Sequence, residues 1–223
     1  MLQFFSKYKF FGIVLLVLSV IIITIIYSVL KPKKMLPIYQ PAQISAELVD
    51  STLQHVKKYH TIADFSLTNQ NGKTVTQADY ADKMYVADFF FTTCQTICPV
   101  MTDHMKEIQE KLKNDSSVLL LSHTVMPEVD SVTQLKKYAL DKGVDDAKWN
   151  LVTGEKQEIY ELARKSYLAA KDNPYDQYDL IHTENFVLVD AKKQIRGFYD
   201  GTNSEDIAKL LADIQVLKNE GQD

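Results

Sequence analysis

The stretch FFFTTCQTICPVM (89–101) carries both cysteines of the chain, Cys94 and Cys98, with three residues between them and Pro99 directly after. Thiols at this spacing suit a structural disulfide, a redox couple or one side of a metal site. A disulfide across so short a loop would stabilise the fold by only about 2 kcal/mol in the chain-entropy model. That gain is a weak reason to keep two cysteines, so chemistry at the sulfurs is the better reading. Two thiolates alone make a redox couple; with an imidazole they make a site for a soft cation. Cu(I) accepts thiolate readily and tolerates few ligands, so two sulfurs and one histidine satisfy it. Zinc usually takes four ligands, and the sequence offers no second cysteine pair to complete a structural zinc site.

The hydrophobic pattern shows what must hold these groups. HTIADFSLTNQNGKTVTQADY reads as two short strands around the turn Asn71-Gly72. MYVADFFFT (84–92) is a continuous apolar run broken only by Asp88, as in a buried central strand. From Pro99 to Lys113, Met101, Met105, Ile108 and Leu112 fall on one helical face, which reads as core. VLLLSHTV (118–125) is a second buried strand, Ser131–Lys142 a helix, WNLVTG a strand and Glu155–Ala169 a third helix. After a polar loop, NFVLVDAKKQIRGFYDG reads as a hairpin, and Ser204–Lys218 as a closing helix capped by Ser204. Alternating strands and helices ending in a hairpin and a helix define an α/β domain with a central mixed sheet flanked by helices. The order is that of a thioredoxin-like domain with an extra N-terminal hairpin.

In this arrangement FFFT ends a strand, Pro99 opens a helix and the thiols lie in the turn between. Proline suits a first helical position because its missing N–H would be unpaired there anyway. Cys98 then falls at the helix cap, where free N–H groups and the helix dipole favour a thiolate. The candidate third ligand is His182, in DLIHTENFVLVD. In thioredoxin-like folds the loop before that strand packs against the cysteine turn and usually carries a cis-proline. Here LIHTENF (180–186) has a histidine and no proline, which favours a metal over redox chemistry alone. His123, at the end of the second buried strand, is expected near the same face as a second layer behind the ligands. His104 reads as a hydrogen-bonded boundary residue. His55 and His60 read as solvated.

The rest of the chain bears on location. Phe10–Leu30 is a charge-free run of 21 residues, about 31 Å of helix, long enough to span a bilayer. It exceeds the apolar core of a cleavable signal peptide and is followed by Lys31-Pro32-Lys33-Lys34, so it reads as an uncleaved anchor. The organisation is then residues 1–9 as a short cytoplasmic start, 10–30 as the transmembrane helix and 31–56 as a proline-containing tether. Residues 57–218 form the domain and 219–223 a polar tail. Lys7 and Lys9 precede the span while Lys31, Lys33 and Lys34 follow it, so flanking charge leaves the orientation open. Those five lysines are the only charges in residues 1–34, so the remainder carries −9 against −4 for the whole chain. A domain that acidic does not match a nucleic acid backbone.

TTCQTICPVMTDHM is similar to the T-x-C-x-x-x-C-P block of the Sco/SenC family, membrane-anchored copper proteins with a thioredoxin-like fold. The likeness continues through LLSHTVMPEVDSVTQLKKYA, WNLVTG, DLIHTENFVLVD and the FYDGT stretch, over about residues 60 to 217. It implies one copper ion per chain, held by Cys94, Cys98 and His182. It also implies delivery of copper, or reduction of the receiving cysteines, during assembly of the binuclear copper centre of cytochrome c oxidase. The partners implied are copper, the oxidase subunit carrying that centre and the membrane. The implied location is a bacterial inner membrane, single-pass, with the domain on the extracytoplasmic side. Where many relatives carry S-x-D-P-x-x-D, this chain has SHTVMPEVD, in which Pro127 and Asp130 match and the first aspartate does not. The alternative reading is a membrane-anchored thiol–disulfide oxidoreductase in which Cys94 attacks and Cys98 resolves.

Overall fold

The computed structural model describes residues 2–30, 34–172, 180–182 and 184–220. One compact unit ends at Met35 and a second begins at Leu36. The first is helix α1 (Leu2–Leu30). Its stretch Lys9–Tyr27 has a mean hydropathy of 3.0 and is long and apolar enough to cross a membrane. The Ser19 and Thr24 hydroxyls donate to the Leu16 and Val20 carbonyls of the same helix, so neither needs water.

The second unit opens with the hairpin β1 (Ser66–Asn69) and β2 (Thr74–Thr76), turned by Gly72 at φ +71°. There follow β3 (Met84–Phe90), α2 (Ile97–Lys111), β4 (Val118–Thr124), α3 (Val132–Lys142), β5 (Trp149–Thr153) and α4 (Lys156–Glu161). A short ribbon of β6 (Ala170–Asp172) and β7 (Leu180–His182) precedes the hairpin β8 (Asn185–Val189) and β9 (Ile195–Asp200). Helix α5 (Ser204–Glu220) closes the unit. The main sheet runs β2-β1-β5-β4-β3-β8-β9, with β3, β4 and β5 parallel and the outer pairings antiparallel.

Every residue of β3 is buried, so its alternating side chains feed two cores. Tyr85, Ala87 and Phe89 join Leu121, Val152 and α4 on one face. Met84, Val86 and Phe90 join Leu120, Leu151 and the inner faces of α2, α3 and α5 on the other. Met101 and Met105 are fully buried in the second core, as their spacing requires.

Several boundaries differ from the sequence reading, each for a packing reason. The expected third helix stops at Glu161; a π turn over Leu162–Ser166 and a left-handed Leu168 then bring Tyr167, Leu168 and Ala169 inside. Part of the expected polar loop is the ribbon β6–β7; residues 173–179 lie outside the described residues. The cap of α5 is Asn203, whose side-chain oxygen accepts from the Glu205 N–H, rather than Ser204. Asn219 and Glu220 belong to α5 rather than to a polar tail, and 221–223 lie outside the described residues.

The tether is also shorter than 31–56. From Leu36 onward the chain packs on the domain: Leu36, Gln40 and Val49 are buried, and the Tyr39 N–H donates to the Ile195 carbonyl. Arg196 holds this segment. It donates to the Leu36 carbonyl at 2.7 Å and the Pro37 carbonyl at 3.1 Å. It also pairs with Asp190 at 3.0 Å and Glu220 at 2.6 Å. Glu220 in turn accepts from the Leu36 N–H. Removing one member of such a buried cluster strands the other charges. Arg196→Ala is expected to lower the unfolding free energy by about 3 kcal/mol and to expose residues 36–40 to proteases. Denaturant melts and limited proteolysis measure both; a loss under about 1 kcal/mol contradicts the assignment.

Candidate metal centre

The site lies beyond the carboxyl end of β3, beside the parallel neighbour β4, where α/β sheets leave an open crevice. Strand β3 ends at Phe90, and α2 begins at Ile97, two residues before the expected Pro99. Thr96 occupies the cap position without a side-chain capping bond. Cys98 is therefore inside the first helical turn, not at its tip, and its side chain enters the core lined by Val86, Phe90 and Met101. Cys98 is completely buried and Cys94 half-buried; both are free thiols.

This placement reverses the expected electrostatics of the pair. Burial pushes the Cys98 thiol up to about 12, and its role as donor to the Cys94 sulfur adds to the rise. Burial also acts to raise Cys94, but hydrogen bonds prevail. The Cys98 thiol, the Thr96 and Cys98 backbone N–H groups and the Thr96 hydroxyl, 3.6 Å away, bring it down to about 7. Thiolate character therefore belongs to Cys94, while Cys98 is its proton-bearing neighbour. The helix start still supplies the N–H groups, but it supplies them to the other sulfur.

Asp88, which reads in the sequence only as an interruption in an apolar strand, is a buried acid next to the thiol site. It is buried on the same sheet face as Cys98, and among the described residues its Oδ1 has no hydrogen-bond partner. Burial raises its carboxyl to about 7, against a partial lowering by Ser122, its register partner on β4. Ser122 in turn accepts from the Trp149 indole N–H at 2.8 Å. The negative charge of Asp88 is one of the influences that keep Cys98 protonated.

The histidines divide. His182 is the last residue of β7, its Cα in register with Ala170 of β6; its imidazole lies outside the described residues. His123 does not stand behind the thiols. It faces the α4 side of the sheet, stacked on Phe89 at 4.8 Å and edge-on to Tyr167 at 5.2 Å, whereas Cys98 belongs to the opposite core. Strand alternation gives the reason, because His123 is paired with Phe89, not with Asp88 or Phe90. Its ring nitrogens are buried, and burial, against a smaller opposing effect of the Asp88 backbone, lowers it to about 3, so the ring is neutral. His104 donates from Nδ1 to the Gly201 carbonyl at 2.7 Å, as a boundary residue should. His60 is half-buried with Nε2 at 2.8 Å from the Ser166 carbonyl, so it is not simply solvated. His55 is exposed. Among the described residues no cluster of three His, Cys, Asp or Glu forms a metal site, so a site at the thiols needs a ligand beyond them.

The fold and the thiol turn define a thioredoxin-like domain that carries a pair of free cysteines at the carboxyl end of its central strand. The SCO1/SenC family model matches residues 54–218, and the chain belongs to that family. It is 35% identical over 158 residues to the SCO1 protein homolog of Bacillus subtilis, covering 70% of this chain and 82% of that one. Among solved structures it resembles BsSco, described with a disulfide switch and as a member of the Sco family of cytochrome c oxidase assembly proteins. The TM-score is 0.61 at 34% identity, covering 71% of this chain and 93% of that one. It also resembles Arabidopsis thaliana ScoI, solved with copper bound, with a TM-score of 0.56 at 26% identity, covering 69% of this chain and 97% of that one.

Two measurements test this electrostatic picture. Alkylation of reduced protein by iodoacetamide is expected to label Cys94 with a midpoint near pH 7 and Cys98 only after unfolding. Equal labelling of both would contradict it. For Asp88 the native carboxyl titrates near 7 and the unfolded one near 4, so the native state binds the extra proton between those values. The contribution of Asp88 to stability is therefore fully present below about pH 4 and is lost as pH rises from about 4 to 7. Asp88→Asn is expected to flatten that decline and to stabilise the protein at pH 8 by an amount on the order of 2 kcal/mol. An unchanged pH slope would show that Asp88 ionises freely.

Proposed function

We propose that this protein is a membrane-anchored copper-binding assembly factor whose metal ligands are Cys94, Cys98 and His182. It delivers copper to, or matures, the binuclear copper centre of cytochrome c oxidase, from the extracytoplasmic side of a bacterial cell membrane. The observation that carries this reading is the unequal thiol pair at the end of the central strand, one sulfur half-buried in the turn, the other completely buried in the first turn of α2. Soft thiolates suit Cu(I), and a nearby cation lowers the pKa of Cys98 so that it can ligate with loss of its proton. His182, which ends β7, is the imidazole assigned to complete the set. Cys94 is the ligand a partner thiolate can reach first, so transfer begins by exchange at that sulfur. Copper in the solved Arabidopsis thaliana relative, and cytochrome c oxidase assembly in the description of BsSco, support the cargo and the destination.

A second reading draws on the same thiol asymmetry. Cys94 thiolate attacks a partner's disulfide and releases one partner thiolate; Cys98, losing its proton, then attacks Cys94 and releases the second. The partner gains two electrons and this chain ends as the Cys94–Cys98 disulfide, to be restored by an external dithiol.

Anaerobic Cu(I) titration of the reduced full chain in detergent, against a competing chelator, separates the two. Cys94→Ser, Cys98→Ser and His182→Ala are each expected to weaken copper binding by about a hundredfold or more. Disulfide exchange is expected to survive His182→Ala and to be lost in Cys94→Ser. Unchanged copper affinity in His182→Ala removes the three-ligand site and leaves only the thiol reading.

A further inference from the structure

Asp130 lies in the loop between β4 and α3 and is completely buried. Its carboxylate accepts three hydrogen bonds, all from neutral groups. Thr92 supplies its backbone N–H at 3.1 Å and its hydroxyl; Thr124, the last residue of β4, supplies the third through its hydroxyl. Gln134 on α3 donates to the Thr92 oxygen at 3.0 Å, so that hydroxyl is used both as donor and as acceptor. The loop itself winds around the carboxylate. The Asp130 N–H reaches the Met126 carbonyl at 2.9 Å, and the Met126 N–H reaches the Thr124 hydroxyl at 3.0 Å. One side chain thus ties together the ends of β3 and β4 and the start of α3.

Thr92 is two residues ahead of Cys94, at the start of the turn that leads from β3 into α2. The Cys94 N–H meets the Phe91 carbonyl at a long 3.3 Å, and Thr96 makes no capping bond. The turn is pinned on one side by the buried Cys98 and on the other by Thr92 through Asp130. We propose that Asp130, acting through Thr92, is a positioning residue that holds the 92–96 turn, and with it the Cys94 sulfur, in place. A turn released at Thr92 loses its tie to β4 and α3, and the sulfur it carries loses its fixed position. Asparagine at 130 offers one acceptor and one NH₂ in place of two acceptors, and its NH₂ opposes a hydroxyl donor. Valine at 92 keeps the shape of threonine and removes the hydroxyl; serine keeps the hydroxyl.

The inference rests on Cys94 being the working thiol of the site, and its test is independent of copper. Hydrogen exchange of the backbone amides of residues 92–98 is followed by mass spectrometry in the reduced full chain, for Asp130→Asn, Thr92→Val, Thr92→Ser and Arg196→Ala, with thermal melts alongside. Asp130→Asn and Thr92→Val are expected to speed exchange over 92–98 about tenfold while the amides of β3 and β4 keep their protection. Thr92→Ser is expected to match the unaltered chain, and Arg196→Ala, destabilised elsewhere, to leave exchange over 92–98 unchanged. Unmoved exchange in folded Asp130→Asn and Thr92→Val overturns the inference, as does an equal local rise in Arg196→Ala. If Asp130→Asn does not fold, the contrast between Thr92→Val and Thr92→Ser decides. A failure of the copper reading shows separately, as copper affinity indifferent to Cys94→Ser.

Discussion

The position of the solvent boundary across the turn from β3 into α2 governs the rest of this structure. A strand buried on both faces must hand the chain to a helix whose first turn is itself inside the core. Two sulfurs only four positions apart in the chain then fall in different dielectric surroundings. Desolvation penalises a charge on Cys98 far more than on Cys94, and the protonated Cys98 becomes a donor that stabilises charge on its neighbour. The pair holds one negative charge readily; the second thiol loses its proton when a cation binds, or when a partner disulfide accepts two electrons and the two sulfurs join. Metal capture and disulfide exchange are therefore two outcomes of one electrostatic arrangement.

The sheet extends the same logic to both of its faces. Below Cys98, Asp88 is a carboxyl without a full set of partners, and its charge opposes a second charge above it. Across the sheet, His123 is an uncharged ring enclosed by Phe65, Phe89 and Tyr167. A one-residue change of register along β4 would exchange these faces and bring an imidazole beneath the thiols. The alternation of Ser122, His123 and Thr124 prevents it and leaves Thr124 to meet Asp130.

Much of this was legible in the sequence, because local patterns dictated it. Asn71-Gly72 made its turn, the four-three-four spacing of Met101, Met105, Ile108 and Leu112 made a buried helix face, and the unbroken 84–90 run made the central strand. What was not legible depended on burial contributed by distant residues. Nothing between Cys94 and Pro99 states that Cys98 will be sealed in by Val86 and Phe90, so the helix dipole seemed decisive when desolvation was. Residues 36–56 resemble a tether because their partners, Arg196, Ile195 and Glu220, are some 160 positions or more away. The face taken by His123 followed from a register that no single strand reveals. Asp88 did leave a signal, an acid in a run otherwise fit for a core, and such an exception is where a sequence reading should look for chemistry.

The claim on which the functional account turns is that a histidine far along the chain joins the two sulfurs around one copper ion. X-ray absorption at the copper edge of the reduced, Cu(I)-loaded full chain tests it most directly, since it counts donor atoms without relying on activity. The account expects two sulfur neighbours and one imidazole nitrogen, with the nitrogen lost in His182→Ala. A shell of sulfur alone in the unaltered chain, or a nitrogen that persists in His182→Ala, would contradict it.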